Sequence, residues 1–210
     1  MAMTYTGLIA AKTVSTSLRY WVNYSLLPVE ELITDAESQI YSLMRVREMR
    51  AEAALSISAN DSTEPLPAGF LDPIGLTDVY GDPIEQTDEL SLKRYRVISG
   101  GVLTTGDFQK YAIYGEVMNF DCRARAATTL DLLYYKQPDP LGPLNTTNWL
   151  TARYPHIMRA MLLSKAFAFR QDDSRAERWE AKAVAFIESA NGMDDLSRRG
   201  ANFPVENRDG

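Results

Sequence analysis

Residues 155–170 read as a helix whose apolar side chains leave almost no polar face. Pro155 suits a first helical position, and Ile157, Met158, Met161, Leu162, Leu163, Ala166, Phe167 and Phe169 follow it. Such a helix is either central to its fold or covered on a second side by another subunit. It lies within the most informative stretch of the chain, residues 130–192. That stretch starts with a strand ending in the paired tyrosines Tyr134 and Tyr135. A turn region with Pro138, Pro140, Gly142 and Pro143 leads to a short helix carrying Trp149 and Leu150, for which residues 145–148 offer caps. A last helix opens on a Ser174/Glu177 capping box, presents Ala176, Trp179, Ala183, Phe186 and Ile187, and is expected to stop near Gly192. No recognisable chemistry accompanies the stretch, which points to assembly rather than catalysis.

Upstream, residues 15–24 predict a first helix, and Pro28 predicts the start of a second. Glu30 and Glu31 complement the positive end of the second helix, and Val29, Leu32, Ile33, Ala36, Ile40, Leu43 and Met44 form its core-facing stripe. After Met49 the period shortens. Residues 51–58 alternate in part and predict a strand. Residues 90–99, 111–120 and 128–135 predict three more, with Gly100 and Gly101 as a turn. Residues 72–88, broken at Pro73 and Pro83, predict an exposed loop or short hairpin. The expected class is α+β: a helical bundle from residues 1–48 and 137–192, a central antiparallel β-rich insertion over 49–136, and an extended tail over 193–210.

With 210 residues, 45% of them hydrophobic, the chain can bury one or two cores. A net charge of −6 disfavours a nucleic-acid clamp, because counterion release needs clustered Lys and Arg, but it is compatible with DNA passing nearby without sticking. No apolar stretch approaches the roughly 20 residues of a membrane span, and the start reads as no secretory signal, so a soluble chain made in the cytoplasm is expected. Cys122 is the only cysteine and His156 the only histidine, which excludes an internal disulfide and metal sites built on several thiolates or imidazoles. A Cys122/His156 dyad lacks any local signature. The carboxylate pairs Glu30/Glu31, Asp172/Asp173 and Asp194/Asp195 adjoin helix ends, where capping or solvation explains them. The series Asp72, Asp78, Asp82 and Asp88 lacks the pattern of a calcium loop, and there is no phosphate-cradling glycine loop. No catalytic residue, cofactor or metal is therefore expected. Arg45, Arg47 and Arg50 form one modest basic concentration, and Arg123 and Arg125 another. Each is either a solvated, locally paired face or the electrostatic half of a subunit interface.

The order of residues 130–135, the proline-rich turn, Asn148-Trp149-Leu150, Tyr154-Pro155 opening an apolar helix, and Asp172-Asp173 ahead of a helix with Trp179 resembles the C-terminal half of tailed-bacteriophage head-to-tail adaptor (connector) proteins. Leu27-Pro28, Glu30-Glu31 and Ala36, then Pro65-Leu66-Pro67 before Phe70-Leu71, stand in the matching order upstream. The resemblance implies a virion component: a homo-oligomeric ring, typically of about twelve copies, beneath the portal protein, extending the channel for genomic DNA and docking tail or nozzle proteins. It implies no membrane and no cofactor. The interface candidates are Arg45, Arg47, Arg50, Arg123, Arg125, Tyr134, Tyr135, Trp149 and Tyr154, with Phe203 and Pro204 in a tail that would reach onto the portal. The rival readings are a small virion-associated hydrolase using carboxylates, which requires a pocket with two carboxylates in unlike environments, and a monomeric helical interaction module.

Overall fold

A computed structural model describes residues 3–99 and 102–199. In chain order these form α1 (Tyr5–Ile9), α2 (Leu18–Trp21), α3 (Val29–Leu43), a 3-10 turn (Arg47–Met49), β1 (Arg50–Ile57), β2 (Thr63–Pro65), β3 (Phe70–Thr77), β4 (Glu85–Gln86), α4 (Glu89–Tyr95), β5 (Ile98–Ser99), β6 (Val102–Leu103), β7 (Thr105–Gly106), β8 (Lys110–Tyr114), β9 (Val117–Phe120), β10 (Arg123–Ala124), β11 (Thr128–Lys136), α5 (Trp149–Arg153), α6 (Pro155–Phe169) and α7 (Asp173–Arg199). The fold is mixed α+β. The chain divides into two compact units, one made of Met1–Glu48 and Pro138–Gly210, the other of Met49–Gln137.

In the first unit α6 is the central element. It packs on α2, α3, α5 and α7, and Ile157, Met158, Met161 and Leu162 are fully buried. Burying one such side chain is worth about 1.5–3 kcal/mol, so these positions dominate the unit's apolar gain. The apolar circumference of α6 is thus satisfied inside one chain and calls for no second subunit. α3 starts one residue later than Pro28, which occupies the N-cap position, and it buries the expected stripe together with Glu37, except for Leu43, which is exposed at the helix end. Residues 15–24 do not form one helix. Ser17 caps the four-residue α2 by accepting the Tyr20 amide, and Asn23, at φ 54°, sits in the left-handed region that ends it. The last helix differs from expectation at both ends. Asp172, not Ser174, caps it by accepting the Arg175 amide at 3.4 Å, and α7 passes through Gly192 to Arg199.

In the second unit β1, β11 and β3 form an antiparallel sheet in the order β1-β11-β3, and β2-β9-β8-β4 form another. Leu55, Leu76, Met118, Phe120, Leu130 and Leu132 belong to the core of this unit, where Phe108 and Phe120 stack with ring centroids 4.3 Å apart. The insertion is not wholly antiparallel, because the short pairs β4–β8 and β7–β10 are parallel. Residues 72–88 follow the hairpin alternative rather than the loop, since 72–77 are strand and Thr77 bridges Pro83 antiparallel across the turn at 78–82. Register against β11 slips between Leu133/Gly75 and Tyr134/Pro73, leaving Ile74 as an extra residue. Pro73 is tolerated because β3 is an edge strand with a bulge at that point.

Residues 90–95 are helix rather than strand. Asp88 accepts the Ser91 amide as N-cap, and Lys93 pairs with Glu89 one turn back, which outweighs the alternating Leu90 and Leu92. Hydrogen bonding to Ser91 lowers the Asp88 carboxyl pKa. Residues 111–120 are a hairpin, not one strand. Tyr114 pairs with Val117 across Gly115-Glu116, and Gly115 has φ +66° with no positive φ at Glu116, the type II′ pattern. A Cβ at Gly115 would meet nothing within 4 Å, so Gly115→Ala is expected to cost about 1 kcal/mol through backbone strain alone. Urea denaturation checks this, and an unchanged midpoint would contradict it. The anticipated turn at Gly100 and Gly101 lies outside the described residues.

Candidate functional site

The polar groups of the first unit are organised around two carboxylates whose surroundings sequence does not reveal. Glu37 of α3 is 3% exposed. Its Oε1 accepts hydrogen bonds from the Tyr41 hydroxyl at 3.0 Å and Asn148 Nδ2 at 2.9 Å, and its Oε2 accepts the Leu141 amide at 3.0 Å. Burial raises the carboxyl's pKa and these donors partly oppose the rise. Asn148 also caps α5 in a reciprocal capping box with Thr151. The proline-rich turn and the start of α5 are therefore pinned to α3 by one buried side chain.

The second carboxylate is Asp194, 6% exposed on α7. It accepts the Arg47 amide at 3.2 Å and lies 3.8 Å from Arg47 Nε. Asn191, three residues earlier on the same helix face, accepts the Arg45 amide at 2.8 Å and donates to the Leu43 carbonyl at 3.0 Å. These two side chains hold the chain as it leaves α3, and they lie on either side of Gly192, where the helix was expected to stop. Asp194 is thus buried and paired, not solvated. Arg45 turns its guanidinium onto the Tyr41 and Met44 carbonyls at 2.7 Å, and Arg153 pairs with Glu48.

Among the other sequence candidates of this unit, Trp149 and Tyr154 belong to a row of rings. Tyr41–Trp149 centroids lie 6.5 Å apart, Trp149–Tyr154 6.0 Å in an edge contact, Tyr154–His156 6.3 Å and His156–Phe186 5.0 Å. His156 is exposed at the start of α6 and packs edge-on to Phe186. Burial raises the Tyr154 hydroxyl's pKa. Phe203 and Pro204 lie outside the described residues.

In the second unit Tyr134 is buried and stacks on Phe70 at 5.6 Å, and Tyr135 is buried opposite Arg50 in the β1–β11 ladder. Arg123 is half-buried in the parallel β7–β10 pair, while Arg125 is exposed and lies 3.9 Å from Asp107. An open groove of about 910 Å³ runs between the end of β1, residues 78–84 and residues 106–109. Its carboxylates are Asp78, Asp82 and Asp107, but Asp78 spends its Oδ1 on the Tyr80 and Asp82 amides at 2.9 and 2.8 Å, so it builds a turn instead of facing a substrate. Burial pushes the Cys122 thiol up to about 12, so it is protonated at neutral pH and a poor nucleophile. No group of three His, Cys, Asp or Glu side chains that could hold a metal occurs among the described residues.

A family model described as SU10 adaptor protein matches residues 3–206. The chain belongs to this tailed-phage head-to-tail adaptor family. The match spans both the helical elements and the β-rich ones, and it assigns the family that the order of residues 15–192 suggested. No curated protein matches the chain. Membership in the SU10 adaptor family makes it a phage adaptor protein and a component of the virion. Among the described residues of this family member no helix is long and apolar enough to cross a membrane.

Proposed function

We propose that the protein is a structural, non-catalytic neck component. Copies form a ring beneath the portal, typically of about twelve; the ring extends the DNA channel and offers a surface to tail or nozzle proteins. The observation that carries this reading is the family match over nearly the whole chain, residues 3–206. The helices of residues 1–48 and 137–199 serve as its bundle, residues 49–136 as its docking lobe, and the chain beyond α7 as a segment reaching onto the portal. The net charge of −6 supports a conduit, since it repels the phosphate backbone that has to slide past. Among the sequence candidates, Arg47 and Arg125 keep exposed side chains with which to meet a partner.

Size-exclusion chromatography with light scattering on the chain, alone and with the portal protein of the same phage, tests the proposal. Co-elution at the mass of a portal carrying a full ring is expected. A chain that elutes as a monomer even beside the portal would overturn it. A monomer in isolation would not, because a ring can require its template.

A further inference from the structure

The unit Met49–Gln137 exposes two unlike apolar patches. The first is the turn over residues 78–82. Its backbone closes on itself, with the Asp78 amide donating to the Asp82 carbonyl and the Gly81 amide to the Asp78 carbonyl, both at 3.0 Å, in addition to the two amides held by the Asp78 carboxylate. This rigid frame holds Val79 58% exposed and Tyr80 87% exposed, and the only charges within the turn are the carboxylates of Asp78 and Asp82. The second patch follows on α4 and just beyond it. Leu90 is 68%, Tyr95 57% and Val97 62% exposed. Beside the tyrosine Arg94 is exposed, Lys93 is paired with Glu89, Arg96 donates to the Phe120 carbonyl, and Lys110, paired with Glu85, has its Nζ 4.3 Å from the centre of the ring. Tyr80 and Tyr95 both keep most of their surface open to solvent, Tyr95 with one ring face against Lys110. An exposed tyrosine on a preorganised turn is a low-entropy anchor, and opposite charge around two such anchors selects one for the other.

We propose that these patches are the two halves of one heterologous contact between copies of this chain. The Val79-Tyr80 tip of one copy packs against Tyr95, Leu90 and Val97 of the next, and Asp82 faces Arg94. The occupant is a second copy because the chain itself carries the complement in both charge and apolar character. Unlike halves leave each copy one free half, so association propagates until it closes on itself. The contact gives the proposed ring its subunit junction and rests on that reading for closure.

Charge exchange tests it, with Asp78 left in place because it builds the turn. Full-length Asp82→Lys, Arg94→Asp, the double variant and an equimolar mixture of the two single variants are compared with wild type for ring yield, with and without the portal protein, and circular dichroism checks that each is folded. Each single variant is expected to lose about tenfold or more in ring yield near physiological salt, and less at 1 M salt, where the Debye length is about 3 Å. The double variant and the mixture are expected to recover, since lysine at 82 then meets aspartate at 94 and, in the mixture, the native pair forms at alternate junctions. Tyr80→Ala is expected to weaken assembly without changing its salt dependence. Wild-type rings with undiminished rings from every variant would overturn the contact and leave the ring standing. Loss in the single variants with no recovery in either combination would also overturn it. A wild type that forms no ring under either condition would overturn both.

Discussion

Leu162→Ala is expected to cost about 2–5 kcal/mol of folding stability, the range for removing a buried leucine side chain and leaving a cavity. Leu162 is fully buried near the middle of α6, which α2, α3, α5 and α7 enclose, so no neighbour can collapse into the space without moving a helix. Phe169→Ala is the control. Phe169 is 49% exposed at the end of the same helix and is expected to cost about 1 kcal/mol or less despite the larger side chain. Urea titration with unchanged m-values would measure both. Similar losses for the two variants would contradict the central place of α6 and reopen the reading in which a second subunit covers it.

Glu37→Leu is expected to cost about 3 kcal/mol, because the leucine removes the acceptor of three donors, the Tyr41 hydroxyl, the Leu141 amide and Asn148 Nδ2, in a place that is closed to water. Glu37→Gln is milder and separates charge from shape. Burial raises the Glu37 carboxyl pKa above its ordinary value of 4.5, so the folded protein holds that proton more tightly than the unfolded chain does. The stabilisation from this linkage is fully present below 4.5 and is lost as pH rises through the raised folded value. Wild type should therefore lose stability relative to Glu37→Gln as pH rises from 4.5 through the raised folded value. A stability difference between the two proteins that stays constant across that window would show that burial does not govern this carboxyl.

Periodicity made the long elements legible. The three- and four-residue spacing of α3, the apolar run of α6, the partial alternation in β1 and the Asn148 cap of α5 each name their own structure, because burial and local capping act within a few residues. What was misread depended on partners distant in sequence or on a short-range contest. Pro73 reads as a break in the segment, yet β11 supplies a bulged pairing that accommodates it. Leu90 and Leu92 alternate like a strand, yet the Asp88 cap and the Glu89–Lys93 pair settle the segment as helix. Gly192 looked like a helix stop, and the work that keeps α7 going is done by Asn191 and Asp194 on the Leu43, Arg45 and Arg47 backbone, about 150 residues away. Glu37 falls on the buried stripe of α3, but nothing near it in sequence announces that Leu141 and Asn148 supply its donors. The basic candidates illustrate the same limit. Arg45 and Arg47 form one cluster in sequence, but their backbone amides and part of their side chains are already committed within the first unit.

In the proposed function, copies of this chain form the ring that joins a portal to a tail. Cryo-electron microscopy of the full-length chain reconstituted with the portal protein of its phage addresses it directly. A closed ring coaxial with the portal is expected, each copy showing the α6-centred helical unit and the β-rich unit, around an open channel continuous with that of the portal. A portal reconstruction without added density, or one carrying isolated copies in no closed arrangement, would contradict it.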